Sequence, residues 1–178
     1  SPRNLLGGIE QKKAFTGADI DGWFALNLTS NLKTGLGSWS VDDIATYLKT
    51  GADKSKSTSL GPMSEVVHNS LSFMTDDDLQ AMAEYLKALP ASSAMSPDHQ
   101  PDKTLAAGAT TYVDNCSACH QAQGSGIPGV FPALAGNGVV LAADANDILK
   151  VVLFGIPVQD GYIAMPGFGD KLSDQQIA

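Results

Sequence analysis

Asn115-Cys116-Ser117-Ala118-Cys119-His120, "NCSACH", holds both cysteines of a 178-residue chain and one of its three histidines. A redox dithiol of the thioredoxin kind wants a βαβ context, and strand signals here are sparse. Structural zinc takes four Cys/His ligands; Cys116, Cys119 and His120 leave one missing, and adjacent Cys-His is poor geometry for two ligands on one ion. A disulfide across two intervening residues is strained. The remaining reading is C-x-x-C-H as the attachment motif of a c-type haem, with two thioethers clamping the porphyrin and the neighbouring imidazole reaching the iron. Cysteine occurs nowhere else in the chain, which suits a cofactor role rather than a disulfide scaffold.

Working outward, the iron's sixth position falls to Met165, 45 residues after His120 in "YIAMPGFG", a Gly/Pro-bounded loop rather than an apolar helical stripe. Buried core packing is the ordinary fate of methionine. A thioether at that position favours reduced iron and leaves no open site for substrate, which is the pattern of electron transfer rather than oxygen chemistry.

An internal repeat extends the reading. "DDIATYLKTG" (42–51) and "NDILKVVLFG" (146–155) align Asp43, Ile44 and Gly51 with Asp147, Ile148 and Gly155. A loop methionine follows each: Met63, twelve residues after Gly51, and Met165, ten after Gly155. A capped helix then starts at Thr75 in the first copy and at Ser173 in the second, where Ser173 and Gln176 have capping-box spacing. In the first copy Thr75, Asp76 to Asp78 and the period of Leu79, Met82, Ala83, Leu86 and Leu89 predict a helix of about four turns. Met63 is thereby an expected axial ligand, but the first copy has no cysteine. The repeat thus predicts a second C-x-x-C-H just before Ser1 and a continuation of the last helix beyond Ala178. His68, five residues after Met63, reads as a helix-surface residue, and His99 as solvated.

"LPASSAMSPDHQPDKT" (89–104) has no hydrophobic period and reads as a linker. It separates residues 1–90 from residues 104–178, with 91–103 between them. After it, "KTLAAGATTYVDNC" runs as a helix into the cysteine motif. The coarse picture is short helices joined by long Gly/Pro loops. The chain is 43% hydrophobic and 17% charged, with no run of the 18 or more apolar residues that a membrane span needs. Eleven basic against nineteen acidic residues, a net charge of -8, leave no basic stripe for a phosphate backbone and exclude nucleic-acid binding. Aromatic residues are only 7% of the chain, so something besides side chains is expected to fill part of the core.

Together "NLTSNLKTGLGSWSVDDIATYLKTG", "GPMSEVVHNSLSFMTDDDLQAMAEYLKALP", "CSACHQAQGSGIPGVFPALAGN" and "AMPGFGDKLSDQQIA" resemble the multihaem cytochrome c subunit of bacterial membrane-bound dehydrogenases. These are enzymes of the alcohol, aldehyde, gluconate and sorbitol type. The resemblance covers nearly the whole chain. It implies an all-α fold of two class I cytochrome c-like domains, belonging to a three-haem subunit. One haem c would be attached at Cys116 and Cys119, and a second would meet Met63 with its attachment motif outside this chain. In the family that motif is followed by Thr/Ser-Pro-Arg-Asn, as Ser1-Pro2-Arg3-Asn4 stands here, and Arg3 would contact a haem propionate. Gly129, Phe131, Pro132 and Leu134 would wrap the proximal haem edge, and the Pro128 carbonyl would accept a hydrogen bond from His120.

The activity implied is electron relay, with no catalysis on substrate by this chain. Its partner would be a dehydrogenase catalytic subunit of flavin, quinone or molybdenum type, and its acceptor quinone or a terminal oxidase. Thioether attachment in bacteria takes place outside the cytoplasmic membrane, so the periplasm is expected, peripheral on that membrane's outer face. Three rivals stand beside this reading: a free-standing diffusible dihaem cytochrome c, a haem peroxidase with open iron, and a first domain that is a haem-free interaction module.

Overall fold

The computed structural model describes residues 7–8, 10, 13–53, 56–92, 103–142, 144–158 and 161–177. Arg3 and His99 lie outside the described residues. Ser40 starts the helix that organises the first half, α1 (Val41–Thr50). Its hydroxyl accepts the Asp43 N–H at 3.0 Å, and the Asp43 carboxylate accepts the Ser40 N–H at 2.8 Å, a reciprocal cap that satisfies two orphan donors. Gly51, at φ 79°, ends the helix where a side chain would be strained.

The four-turn helix predicted from Thr75 is α3 (Asp76–Ala88), with the Thr75 hydroxyl accepting the Asp78 N–H at 3.2 Å. Leu79 and Ala83, one turn apart, lie buried against Ile44 and Leu48 of α1. Val67 of α2 (Pro62–Asn69) and Leu71 of the following 3-10 turn complete a buried cluster. Met63 departs from the expected loop: it sits in the first turn of α2 and packs, partly buried, on that cluster. Pro62 explains the difference, since its fixed φ suits the first helical position and its missing N–H is not needed there.

Short hairpins qualify the all-α expectation. β1 (Ala18–Ile20) pairs antiparallel with β2 (Trp23–Ala25), and β3 (Ala52–Asp53) with β4 (Ser57–Thr58). The first pair is joined by Asp21 and Gly22 at φ 50° and 76°, the two left-handed residues that a tight hairpin turn requires.

The second half contains α4 (Lys103–Asn115), α5 (Ser117–His120), α6 (Asn146–Phe154) and α7 (Asp174–Ile177). Gly155, at φ 74°, terminates α6 as Gly51 terminates α1. One arm of the capping box expected at the start of α7 is present, the Ser173 N–H donating to Gln176 Oε1; the Ser173 hydroxyl donates to the same oxygen, and the Gln176 N–H goes to the Ser173 carbonyl instead. Among the described residues of this half, Tyr162 is the single fully buried apolar side chain. The apolar side chains of α6 are at best half-buried, and Phe154 is exposed. Among the described residues no helix is long and apolar enough to cross a membrane.

The halves touch through polar contacts. Tyr162 donates its hydroxyl to the Asp53 carbonyl at 2.8 Å, and Asn137 Nδ2 donates to the Lys56 carbonyl at 3.3 Å. The hairpin β1–β2 meets the first turn of α6, where the Phe24 N–H donates to the buried Asp147 carboxylate at 2.8 Å.

Candidate haem site

Cys116, Cys119 and His120 occupy one helical turn. The Cys119 and His120 N–H groups both donate to the Cys116 carbonyl, at 3.2 and 2.9 Å. The i, i+3 and i+4 spacing therefore sets both thiols and the imidazole on adjoining faces. Both cysteines are free thiols, Cys116 partly buried and Cys119 exposed. Burial, and after it the neighbouring Cys119, push the Cys116 thiol above its ordinary value. That is opposite to the lowered value by which a redox dithiol becomes nucleophilic. Among the described residues no three His, Cys, Asp or Glu side chains gather as a metal-binding group.

His120 is only 7% exposed and is held from three directions. Its N–H donates to Cys116, its carbonyl accepts the Gly126 N–H at 2.9 Å, and Nδ1 lies 2.9 Å from the Pro132 carbonyl. A carbonyl only accepts, so Nδ1 carries a proton, and in the neutral ring Nε2 then carries the lone pair. Among the described residues Nε2 has no hydrogen-bond partner. A buried, unpaired ring nitrogen is costly unless a metal or ligand takes it up. This donor geometry fits the proximal ligand of a haem iron.

The expected partner of Nδ1 was the Pro128 carbonyl, and the structure corrects it to Pro132. Ile127 and Phe131 exchange both of their backbone hydrogen bonds at 2.8 Å, closing a small loop with Pro128 exposed at its tip. Pro132 comes directly after the closed end, on the side facing His120. Gly126, at φ 64°, allows the fold-back: a Cβ there would lie 2.5 Å from the Phe131 carbonyl oxygen. Phe131 stands edge-on to the imidazole, with ring centroids 6.5 Å apart. Leu134 is partly buried, its N–H donating to the Gly124 carbonyl at 2.8 Å, and Gly129 lies in the loop that Ile127 and Phe131 close.

The Met165 segment caps α6. Met165 and Ile156 each donate an N–H to the other's carbonyl at 2.9 Å, and the Phe168 and Gly169 N–H groups donate to the Val152 and Leu153 carbonyls. These bonds occupy carbonyls that a helix end leaves orphaned. A Cβ on Gly155 would collide with the Met165 carbonyl, so glycine is required. The Ile163 N–H donates to the Val130 carbonyl at 3.3 Å, joining the methionine segment to the loop beside His120. Around that junction Ile127, Val130 and Ile163 are exposed, an apolar surface of the kind a macrocycle covers.

Met63 is not brought to the His120 site; it stays with the first half's core. His68 lies exposed on α2, its Nδ1 2.7 Å from the Ser64 carbonyl. The Asp147 carboxylate is a functional candidate that sequence reasoning used only as a repeat marker. Burial raises it above the ordinary aspartate value, against the opposing effects of the Phe24 N–H and Lys150.

Residues 103–178 match the family described as cytochrome c oxidase, cbb3-type, subunit III. Over 177 residues the chain is 44% identical to the cytochrome c subunit of alcohol dehydrogenase (quinone) from Gluconobacter oxydans, covering 91% of this chain and 37% of that protein. It is 39% identical to the corresponding subunit from Gluconacetobacter polyoxogenes, covering 91% of this chain and 38% of that protein. It is 38% identical to the gluconate 2-dehydrogenase cytochrome c subunit of Pantoea cypripedii, covering 90% of this chain and 40% of that protein. The chain thus spans about two-fifths of the length of these relatives. C-x-x-C-H on one helical turn and His120 oriented through Pro132 lie within the residues that match the cytochrome family model, in a chain similar to dehydrogenase cytochrome c subunits.

Proposed function

We propose that this chain is the electron-transferring part of a dehydrogenase complex, receiving electrons from a catalytic subunit and passing them to quinone or a terminal acceptor. The observation that carries the reading is the His120 imidazole: buried, with Nδ1 fixed by Pro132 and Nε2 left with its lone pair. A covalently bound haem supplies reversible one-electron chemistry at its iron. Cys116 and Cys119 would hold it covalently, His120 and Met165 would ligate its iron, and Phe131 and Leu134 would pack beside it. The Pro132 carbonyl raises imidazole basicity, while the Met165 thioether favours the reduced state.

In the same reading residues 1–90 and 104–178 are two cytochrome c-like units. The first contributes Met63 to a second haem whose cysteines and histidine come from outside residues 1–178. The internal repeat, with a methionine after each Asp-Ile…Gly frame, supports that count. Met63 lies in the first turn of α2, close to solvent and to the core, so it serves as a ligand only by turning from the cluster. The catalytic partner is of flavin, quinone or molybdenum type, and the complex stands on the outer face of the cytoplasmic membrane.

The test is reduction of the haem within the purified complex when alcohol or gluconate is added. The reading expects the c-type alpha band to rise with substrate and the chain to remain with a large subunit at low salt. A chain that purifies alone, with haem that no dehydrogenase reduces, is instead a diffusible cytochrome.

A further inference from the structure

The hairpin β1–β2 touches the Met63 segment directly and reaches the Met165 segment through α6. On one side the Trp23 ring lies against Gly61, just before Pro62 and Met63; a Cβ on Gly61 would lie 2.5 Å from that ring. On the other side the hairpin is gripped by the first turn of α6. Asp147 accepts the Phe24 N–H at 2.8 Å, Asn146 Nδ2 donates to the Gly22 carbonyl at 2.6 Å, and the Lys150 ammonium donates to the same carbonyl. The Lys150 ammonium also stands 4.7 Å over the Trp23 ring. The far end of α6 holds Met165 through Gly155, the Ile156 bridge and the Phe168 and Gly169 N–H groups.

We infer that the Trp23 hairpin and α6 form one bracket that fixes the Met165 segment relative to the Met63 segment, with Asp147 as its positioning residue. The inference rests on the proposed electron relay for its functional meaning, but its mechanical content stands on the contacts alone. Three polar groups of α6 converge on three consecutive residues of the hairpin, and Asp147 is only 4% exposed. Removing its acceptor would strand the Phe24 N–H in a buried contact, which favours separation of hairpin and helix. A helix is stiff, so slack at its first turn is felt at its last, where the Met165 segment is tied.

Amide hydrogen exchange in the haem-loaded protein tests this, comparing the unchanged chain with Asp147→Ala and Asp147→Asn. Asp147→Ala is expected to speed exchange of the Ile156 and Met165 amides about tenfold. Asp147→Asn, which keeps an acceptor for Phe24, should leave them within about twofold. The Ile127 and Phe131 amides, tied only within their own loop, should not change in either variant. Unchanged Ile156 and Met165 exchange in Asp147→Ala would overturn the bracket, as would equal acceleration at Ile127 and Phe131. If Asp147→Ala does not fold, Asn146→Ala replaces it, with an expected rise of about threefold at the same two amides and the same overturning result. Iron ligation would add its own protection at Met165, so the proteins are compared in one ligation state, checked by the visible spectrum, and the two readouts stay separate. A ferric protein without a sulfur-to-iron charge-transfer band would therefore count against Met165 as ligand, without touching the bracket.

Discussion

Helices α1 and α6 share an Asp-Ile start and a terminal glycine, yet they spend the aspartate differently. Asp43 closes a cap on its own helix through Ser40, while Asp147 reaches 123 residues back to the Phe24 N–H. The surroundings differ in the same sense. α1 is covered by α3 and sits in an apolar cluster with Ile44, Leu48, Leu79 and Ala83. α6 has only half-buried apolar side chains and is held by hydrogen bonds at both ends. The first half carries its own apolar core, while among the described residues the second has Tyr162 as its one buried apolar side chain beside the buried His120.

The contrast is broken most severely by removing the attachment sites. In a protein with Cys116→Ala and Cys119→Ala, covalent haem at this site should be lost entirely. Exchange protection should then collapse at Phe131, Ile156 and Met165 while the amides of α3 remain protected. Equal loss in both halves would show that the first half's cluster is not self-sufficient.

The converse experiment is Leu79→Ala, which empties the centre of that cluster. It should cost about 2–5 kcal/mol in denaturant unfolding of the first half. The visible spectrum from the His120 site should persist under conditions where that half remains folded. A smaller loss, about 1 kcal/mol, is expected for Ser40→Ala, which removes one arm of the α1 cap. α6 has Ala145 at the equivalent position, and its Asn146 N–H is taken instead by the Asp144 carboxylate at 2.8 Å.

The smallest effect is a pH dependence at Asp147. Burial raises the folded-state value of Asp147, so the fold takes up a proton there more readily than the unfolded chain. The stabilisation from that proton is complete below the ordinary aspartate value of about 4 and is lost as pH rises through the folded value. Asp147→Asn should therefore flatten the fall in stability just above pH ~4, by less than one bound proton in slope. Urea midpoints of the unchanged chain and the variant across that range measure it.

Local signals carried much of the fold. Thr75 with three aspartates and a helical apolar period located α3, and the Asp-Ile…Gly frames located α1 and α6 with their glycine ends. The hairpin β1–β2 was passed over although Asp21-Gly22, between Ile20 and Trp23, is a strong short-range turn signal. What no local pattern contains is its partner, because the Phe24–Asp147 bond joins segments distant in sequence. For the candidate site, the C-x-x-C-H spacing makes Cys116, Cys119 and His120 stand out in the sequence, and the structure sets them on one helical turn. The choice between Pro128 and Pro132 was not legible, because it depends on where the Ile127–Phe131 pair closes its loop. Met63 was placed by its repeat position, which could not reveal that Pro62 starts a helix there.

Met165→Ala compared with the unchanged protein, by intact mass and by ferric and reduced spectra, tests the central claim most directly. The account predicts one haem mass covalently attached through Cys116 and Cys119. It also predicts a sulfur-to-iron charge-transfer band at this site that Met165→Ala abolishes, together with a fall in its reduction potential. No covalent haem on these cysteines, or a spectrum and potential unaltered by Met165→Ala, would contradict it.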